Sequence, residues 1–225
     1  MDGTSIMNDI SEREMLPSKK NHIYREQMGQ QEVVVKQFTD PGRFRMEKEI
    51  GELLQDTDLC IPRRLAVNEQ KQEIIYEYIA SVTLVDLIET TELEWALEKI
   101  AQICAWMMKF YTILQEKTGR QYILGDVHLR NFICDDRGGL VYGVDFEECR
   151  PGRIETDVAR LYTFILHYEP AFTARKIKLS EYVQKTFLAA LDLNEKFYLQ
   201  EVARETEELL QRRHRRYAEN PGTGR

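Results

Sequence analysis

The sequence is poor in cysteine: Cys60, Cys104, Cys134 and Cys149 stand far apart and form no Cys-x-x-Cys pair. That argues against a disulfide framework and a structural zinc site, and it suits a reducing cytosol. No apolar run approaches the roughly 18 residues of a membrane-spanning helix. The opening residues carry Asp2, Asp9, Glu12 and Glu14 and lack the apolar segment of a signal peptide. Nor is there an excess of basic residues: 31 Lys and Arg face 38 Asp and Glu, a net charge of -7. A broad nucleic-acid surface is therefore not expected. Internal repeats and low-complexity tracts are missing too. What is present is 43% hydrophobic residues over 225 positions. That supports a real core in a soluble cytoplasmic protein, built as one compact domain or as two small lobes sharing a cleft.

The patterning divides the chain in two. Residues 1–20 are polar and aperiodic and are expected to be flexible. From residue 21, HIYREQ and EVVVKQF read as strands around the turn Met28-Gly29-Gln30, the second rich in β-branched Val33, Val34 and Val35. Asp40 and Pro41 supply a cap and a first helical position. Phe44, Ile50, Leu53 and Leu54 carry that helix to about Gln55. Beyond Pro62, RRLAVNE and QEIIYEYI read as two more strands around Asn68–Lys71. Residues 21–80 thus read β-β-α-β-β.

Residues 81–217 are mainly helical. Thr91 and Glu94 have the spacing of a capping box. A long helix to Lys117 follows, with Ile100, Cys104, Met107, Tyr111 and Leu114 on its apolar face and Gly119 as its stop. The Met107-Met108 pair reads as core filler. The runs NFIC and LVYGVDF flank Asp135–Gly139 as a hairpin. Helices are expected over roughly 155–168, 171–191 and 195–217, and 218–225 should fray.

Four features occur in order. Lys36 ends a Val-rich strand. Glu49 lies on the next helix, with Glu47 as its competitor; Glu49 is preferred because Leu53 follows it by four residues. The loop GDVHLRN places Asn131 five residues after Asp126. Asp145-Phe146-Glu147 follows a strand. Together they resemble the protein-kinase-like superfamily, and within it the aminoglycoside and choline phosphotransferases and the small atypical kinases. The superfamily signature is a strand lysine, a helix glutamate, an Asp with Asn five residues on, and DFG. GDVHLRN stands where the small-molecule enzymes carry HGDxHxxN, with Leu124 in place of the first His. VDFEECRPG stands for their IDF segment, with DFE for DFG. Asp157-Val158-Ala159-Arg160-Leu161 is similar to their DxAxL helix start, and Glu77-Tyr78-Ile79 to their hinge. The Met28-Gly29-Gln30 turn carries no GxGxxG to cover phosphates. The resemblance spans about residues 20–170.

The resemblance implies an α+β, bilobal kinase-like fold, with a small antiparallel sheet and one helix in the first lobe. It implies ATP and Mg²⁺ as cofactors. Asp145 and the amide oxygen of Asn131 would bind the metal, since Mg²⁺ takes oxygen ligands. Asp126 would orient the attacking hydroxyl. Lys36 would contact the α- and β-phosphates and Glu49 would hold it. Glu77 and Ile79 would bind adenine through their backbones, with Tyr76 behind it. Asp157 would accept backbone N–H bonds from the catalytic loop, His128 would steady that loop, and Glu147 would add a carboxylate near the metal or point to solvent. The acceptor would be a hydroxyl on a small molecule, sugar or glycan rather than on a protein. Two other readings stand beside it: a small atypical kinase or ATPase of a tRNA-modification-type complex, and a non-catalytic pseudokinase. The run Arg212–Arg216 complements a helix dipole or meets an anionic partner such as RNA.

Overall fold

The computed structural model describes residues 13–135 and 139–219. The first lobe is a five-stranded antiparallel sheet in the order β1-β2-β3-β5-β4. Its strands are β1 (Glu14–Leu16), β2 (His22–Met28), β3 (Gln31–Gln37), β4 (Arg64–Asn68) and β5 (Glu73–Glu77). The central β3 buries Val33, Val35 and Lys36, and the register sets Lys36 opposite Ile23 on one side and Ile74 on the other. Helix α1 (Pro41–Leu54) packs Phe44 against Phe38 and Ile74 of the first lobe. Its cap is the expected one, with the Asp40 carboxylate accepting the N–H groups of Gly42 and Arg43 at 2.7 and 2.9 Å.

The structure departs from the sequence pattern at β1 and at Thr91. Strand β1 falls inside the segment expected to be flexible, pairing Met15 with Tyr24 and Leu16 with Ile23. The rest of that segment through residue 12 lies outside the described residues. Strand β1 also shifts the order of the turns. The first turn of the sheet is Pro17–Asn21, and Met28–Gln31 is the second. The capping box at Thr91 does not form. Thr91 instead follows the short helix α2 (Leu84–Thr90), donating its hydroxyl to Leu87 O at 2.9 Å. The next helix starts after Glu92 without a side-chain cap. Thr91 cannot serve both ends, and the closing turn of α2 takes it.

The second lobe is built on α3 (Leu93–Thr118), stopped by Gly119 in the left-handed region at φ 69°. Strand β6 (Ser81–Thr83) precedes α2 and joins β8 (Phe132–Asp135) and β9 (Val141–Gly143) in an antiparallel sheet, and β7 (Tyr122–Ile123) pairs with β10 (Arg150–Pro151). The hairpin of β8 and β9 forms as expected, its tip at 136–138 lying outside the described residues. Helices α4 (Ile154–His167), α5 (Ala174–Ala190) and α6 (Glu195–Glu219) complete the lobe. Helix α6 runs past 217, and the remaining tail from 220 on lies outside the described residues. Ile100, Met107, Phe110, Leu161, Val183 and Phe187 form the centre of the core. No helix among the described residues is long and apolar enough to cross a membrane.

One packing unit ties this core to the cleft. Trp106 stacks on Phe110 and Phe146 at centroid distances of 5.6 and 6.2 Å and donates its indole N–H to Cys60 O at 2.8 Å. A buried ring such as Phe146 contributes about 2–3 kcal/mol through lost water contact. Gly143 lets the strand approach: a Cβ there would sit 2.2 Å from the Trp106 ring. Phe146 is thereby pinned in the second lobe, and its neighbour Asp145, at φ 72°, is turned into the cleft. That left-handed backbone is costly for a non-glycine residue and persists only where its surroundings impose it.

Candidate active site

The cleft between sheet and helices encloses about 1730 Å³, and Lys36, Asp126, Asn131 and Asp145 all line it. Asp126, Asn131 and Asp145 also share the walls of a small cavity over Trp106.

The loop that carries Asp126 and Asn131 is held from beneath. Asp157, on the first turn of α4, accepts the N–H groups of Leu124 at 2.6 Å and Gly125 at 2.9 Å and the Tyr111 hydroxyl at 3.0 Å. Burial pushes its carboxyl up to about 6, while the N–H groups of Gly125 and Leu124, the Tyr111 hydroxyl and Arg160 pull the other way. Gly125 sits at φ 80°, and a Cβ there would lie 2.3 Å from Glu148 O, so only glycine fits. Farther along the loop, Asn131 donates its side-chain amide to Asp126 O at 2.7 Å, which leaves its amide oxygen as the ligand-capable atom. Backbone bonds from Asn131 to His128 O at 3.0 Å and from Val144 to Asn131 O at 2.9 Å fix the loop against the strand leading to Asp145. His128 packs its ring 5.5 Å from Phe164, and burial lowers its pKa against the pull of Asp126.

Lys36 gathers three carboxylates. Its ammonium lies 2.7 Å from Asp145, 3.1 Å from Glu147 and 3.2 Å from Glu47. Burial opposes the charge on Lys36, but the attraction of the three anions outweighs it and raises the pKa. Glu47, not Glu49, is the partner. Glu47 also accepts the Tyr76 hydroxyl at 3.0 Å and the backbone N–H of Phe146 at 2.7 Å. The helical period explains the choice. Phe44, Glu47, Ile50 and Leu54 fall on the buried face of α1, whereas Glu49 points to solvent. The spacing from Glu49 to Leu53 selects the wrong face, because Leu54 is the residue that is fully buried.

Glu147, in the place of the DFG glycine, neither reaches solvent nor stays free. It is 4% exposed, and besides Lys36 it accepts the side-chain amide of Asn21. Among the described residues, Glu47, Asp145 and Glu147 bring their oxygens within 4.8 Å of one another. Only the Asp145 side chain is open to the cleft, at 37% against 3% and 2% for the two glutamates. An all-oxygen donor set of Asp145 and Asn131 fits a hard dication such as Mg²⁺.

Lys20 is a site residue that the sequence pattern does not mark. From the Pro17–Asn21 turn it reaches Asp126 Oδ2 at 3.3 Å and Glu148 Oε1 at 3.0 Å. Burial pushes the Asp126 carboxyl up, but His128, Lys20 and Arg160 together hold it below the ordinary value. Tyr76, Glu77 and Ile79 line the far end of the cleft, where Glu77 N–H is committed to Arg63 O at 2.9 Å. Of the Arg212–Arg216 run, Arg212 and Arg213 also line the cleft.

No family model and no curated protein matches the sequence. Solved structures do. An amicoumacin kinase, hAmiN, solved in complex with AMP-PNP, Ca²⁺ and Ami, superposes with a TM-score of 0.57 at 14% identity, covering 84% of this chain and 72% of that one. A thermostable mutant of the aminoglycoside phosphotransferase APH(4)-Ia, in its apo form, gives 0.56 at 16% identity over 78% of each chain. The fold is that of the kinase-like phosphotransferases. At these identities the likeness is one of fold, and the chemistry has to be argued from the side chains.

Proposed function

We propose that this chain is an ATP- and Mg²⁺-dependent phosphotransferase that moves the γ-phosphoryl group to a hydroxyl of a small molecule, sugar or glycan, in the cytosol. The observation that carries the reading is the convergence of Lys36, Asp126, Asn131 and Asp145, from three separate stretches of chain, on one cleft. Its volume of about 1730 Å³ exceeds the usual range for one ligand, roughly 300–1,000 Å³, and leaves room for nucleotide and acceptor together.

In this reading Glu77 and Ile79 bind adenine through their backbones, with Tyr76 behind the base. Glu47 sets the position of Lys36, whose ammonium meets the α- and β-phosphates once nucleotide draws it from Asp145. Asp145 and the Asn131 amide oxygen hold Mg²⁺, which neutralises charge on the phosphates. Asp126 accepts the hydrogen bond of the attacking hydroxyl and aims it; such transfer is mostly positioning and charge stabilisation. Asp157 positions Asp126 through the backbone of Leu124 and Gly125.

The test is a thermal-shift titration with ATP, with and without Mg²⁺, followed by turnover measurements on a panel of hydroxyl acceptors. A ligand that binds the native state raises the unfolding midpoint. The expected result is a Mg²⁺-dependent shift that Asp145→Ala removes, with turnover that Asp126→Ala abolishes at nearly unchanged ATP binding. The absence of both shift and turnover would overturn the enzyme reading and leave a pseudokinase scaffold. Turnover that requires a co-purified partner protein or tRNA would favour the tRNA-modification-type kinase.

A further inference from the structure

The acceptor side of the cleft is walled by the catalytic loop, α4 and the end of α6, and four arginines line it: Arg130, Arg160, Arg212 and Arg213. Two of these are used inside the protein. Arg160 donates to Glu205 at 2.9 Å and to Gly125 O. Arg213 pairs with Glu169 at 3.0 Å and donates to His167 O. The same contacts neutralise Glu169 and Glu205, the carboxylates this wall carries besides Asp126, and Asp126 itself faces Lys20.

Arg130 is left over. Its side chain is exposed, and its guanidinium lies 5.8 Å from the Phe164 ring and 5.4 Å from the Tyr168 ring. Among the described residues no carboxylate comes within ion-pair distance of it. Beside it, His128 Nδ1 is buried and has no hydrogen-bond partner among the described residues. Arg212 is half exposed, and its only acidic neighbour among the described residues, Glu208, is 3.7 Å away. A chain with a net charge of -7 has thus gathered four arginines on one wall of one cleft, and among the described residues Arg130 has no carboxylate partner there. Such a wall raises the local concentration of anions, and a planar guanidinium braced on rings is pre-organised to take a carboxylate or phosphate in two parallel hydrogen bonds.

We infer that the acceptor is a small anion, a hydroxyl compound whose carboxylate or phosphate docks on Arg130, with Arg212 behind it, so that its hydroxyl meets Asp126. This rests on the phosphotransfer reading above. In the step it serves, the acceptor oxygen bonds to the γ-phosphorus, the bond from that phosphorus to the bridging oxygen of ADP breaks, ADP leaves with the electron pair, and the hydroxyl proton passes to Asp126 and then to water. A polyamine sugar would meet repulsion on this wall.

The test is calorimetric titration of glucose 6-phosphate, gluconate and kanamycin into the full chain saturated with AMP-PNP and Mg²⁺, repeated without nucleotide, for the wild type, Arg130→Ala and Arg130→Lys. The two anions separate a phosphate from a carboxylate preference. The expected result is that at least one anion binds, that kanamycin does not, and that Arg130→Ala weakens the anion at least tenfold while Arg130→Lys recovers part of the loss. Arg130 is exposed, and equal melting midpoints confirm that the variants fold. The inference is overturned if neither anion binds, if kanamycin binds more tightly than both, if a short RNA displaces the anion at lower concentration than it takes to bind itself, or if Arg130→Ala changes anion binding less than twofold. Failure of AMP-PNP to bind would sink the phosphotransfer reading instead, and the titrations without nucleotide would still decide the anion site.

Discussion

Lys20 Nζ lies 3.3 Å from Asp126 Oδ2, so the first turn of the sheet reaches across the cleft to the carboxylate that the proposed chemistry depends on. Both side chains are more than one third exposed, at 40% and 34%, so the pair adds little to stability. Its meaning is positional. Pro17–Asn21 stands over the place where phosphates would lie, and it offers an ammonium rather than glycine N–H groups. Lys20→Ala is expected to leave the melting midpoint nearly unchanged and to weaken ATP binding by about three- to tenfold, with a shallower dependence on salt. Calorimetry at two ionic strengths reads both effects. Unchanged affinity at both would mean that Lys20 serves only Asp126 and Glu148.

The ammonium of Lys36 holds two buried glutamates at once, and removing it takes the cation from Glu47 and leaves Glu147 with Arg43 alone, 4.0 Å away. Breaking a buried ion pair from one side costs about 3–5 kcal/mol. Lys36→Met is therefore expected to lower stability to urea by about 3 kcal/mol. Adding Glu147→Gln to it should recover part of that loss, because one fewer uncompensated charge stays buried. If the double variant is less stable than Lys36→Met alone, Glu147 is held by Asn21 and Arg43 rather than by the lysine.

Glu47 and Glu49 differ by two positions and by the whole thickness of α1. Glu47→Gln should destabilise by about 2 kcal/mol, since the amide keeps the hydrogen bond from Phe146 N–H and loses the ion pair. It should also weaken ATP binding, because Lys36 loses its fixed position. Glu49→Gln should change stability by less than about 0.5 kcal/mol. Equal effects from the two variants would put the lysine partner back in question.

That pair also shows what a reader of the bare sequence can and cannot see. Strand β3 is legible because Val33, Val34 and Val35 have one conformational preference, and α1 is legible because Asp40 and Pro41 mark its start. The order of Lys36, Asp126, Asn131 and Asp145 is legible as a fold, because the same ordered set marks the kinase-like fold that the sequence resembles. The face of α1 is readable too, but through the period of Phe44, Ile50 and Leu54 rather than through a four-residue spacing. Strand β1 is not legible: three residues, two of them exposed, make no pattern, and with it the reach of Lys20 is hidden. Glu147 could not be placed either. Its burial follows from Phe146 being pinned by Trp106, a contact 40 residues away in the chain.

Asp157 gives a prediction whose sign is fixed by its surroundings. Burial lifts its carboxyl to about 6, above the ordinary value of 3.8, although Gly125, Leu124, Tyr111 and Arg160 favour the anion. Between those two values the folded chain holds the proton more tightly than the unfolded chain. The stability that comes with the protonated form is fully present below about pH 4 and is lost as pH rises through about 6. Asp157→Asn carries no such proton. The stability of the wild type relative to this variant should therefore fall by on the order of 3 kcal/mol between about pH 4 and about pH 7 and stay level above that. Urea unfolding of both proteins across this range measures it, and other titrating groups cancel in the difference. A difference that stays flat, or that grows with pH, would mean that the three hydrogen bonds outweigh burial and that Asp157 grips the catalytic loop as an anion throughout.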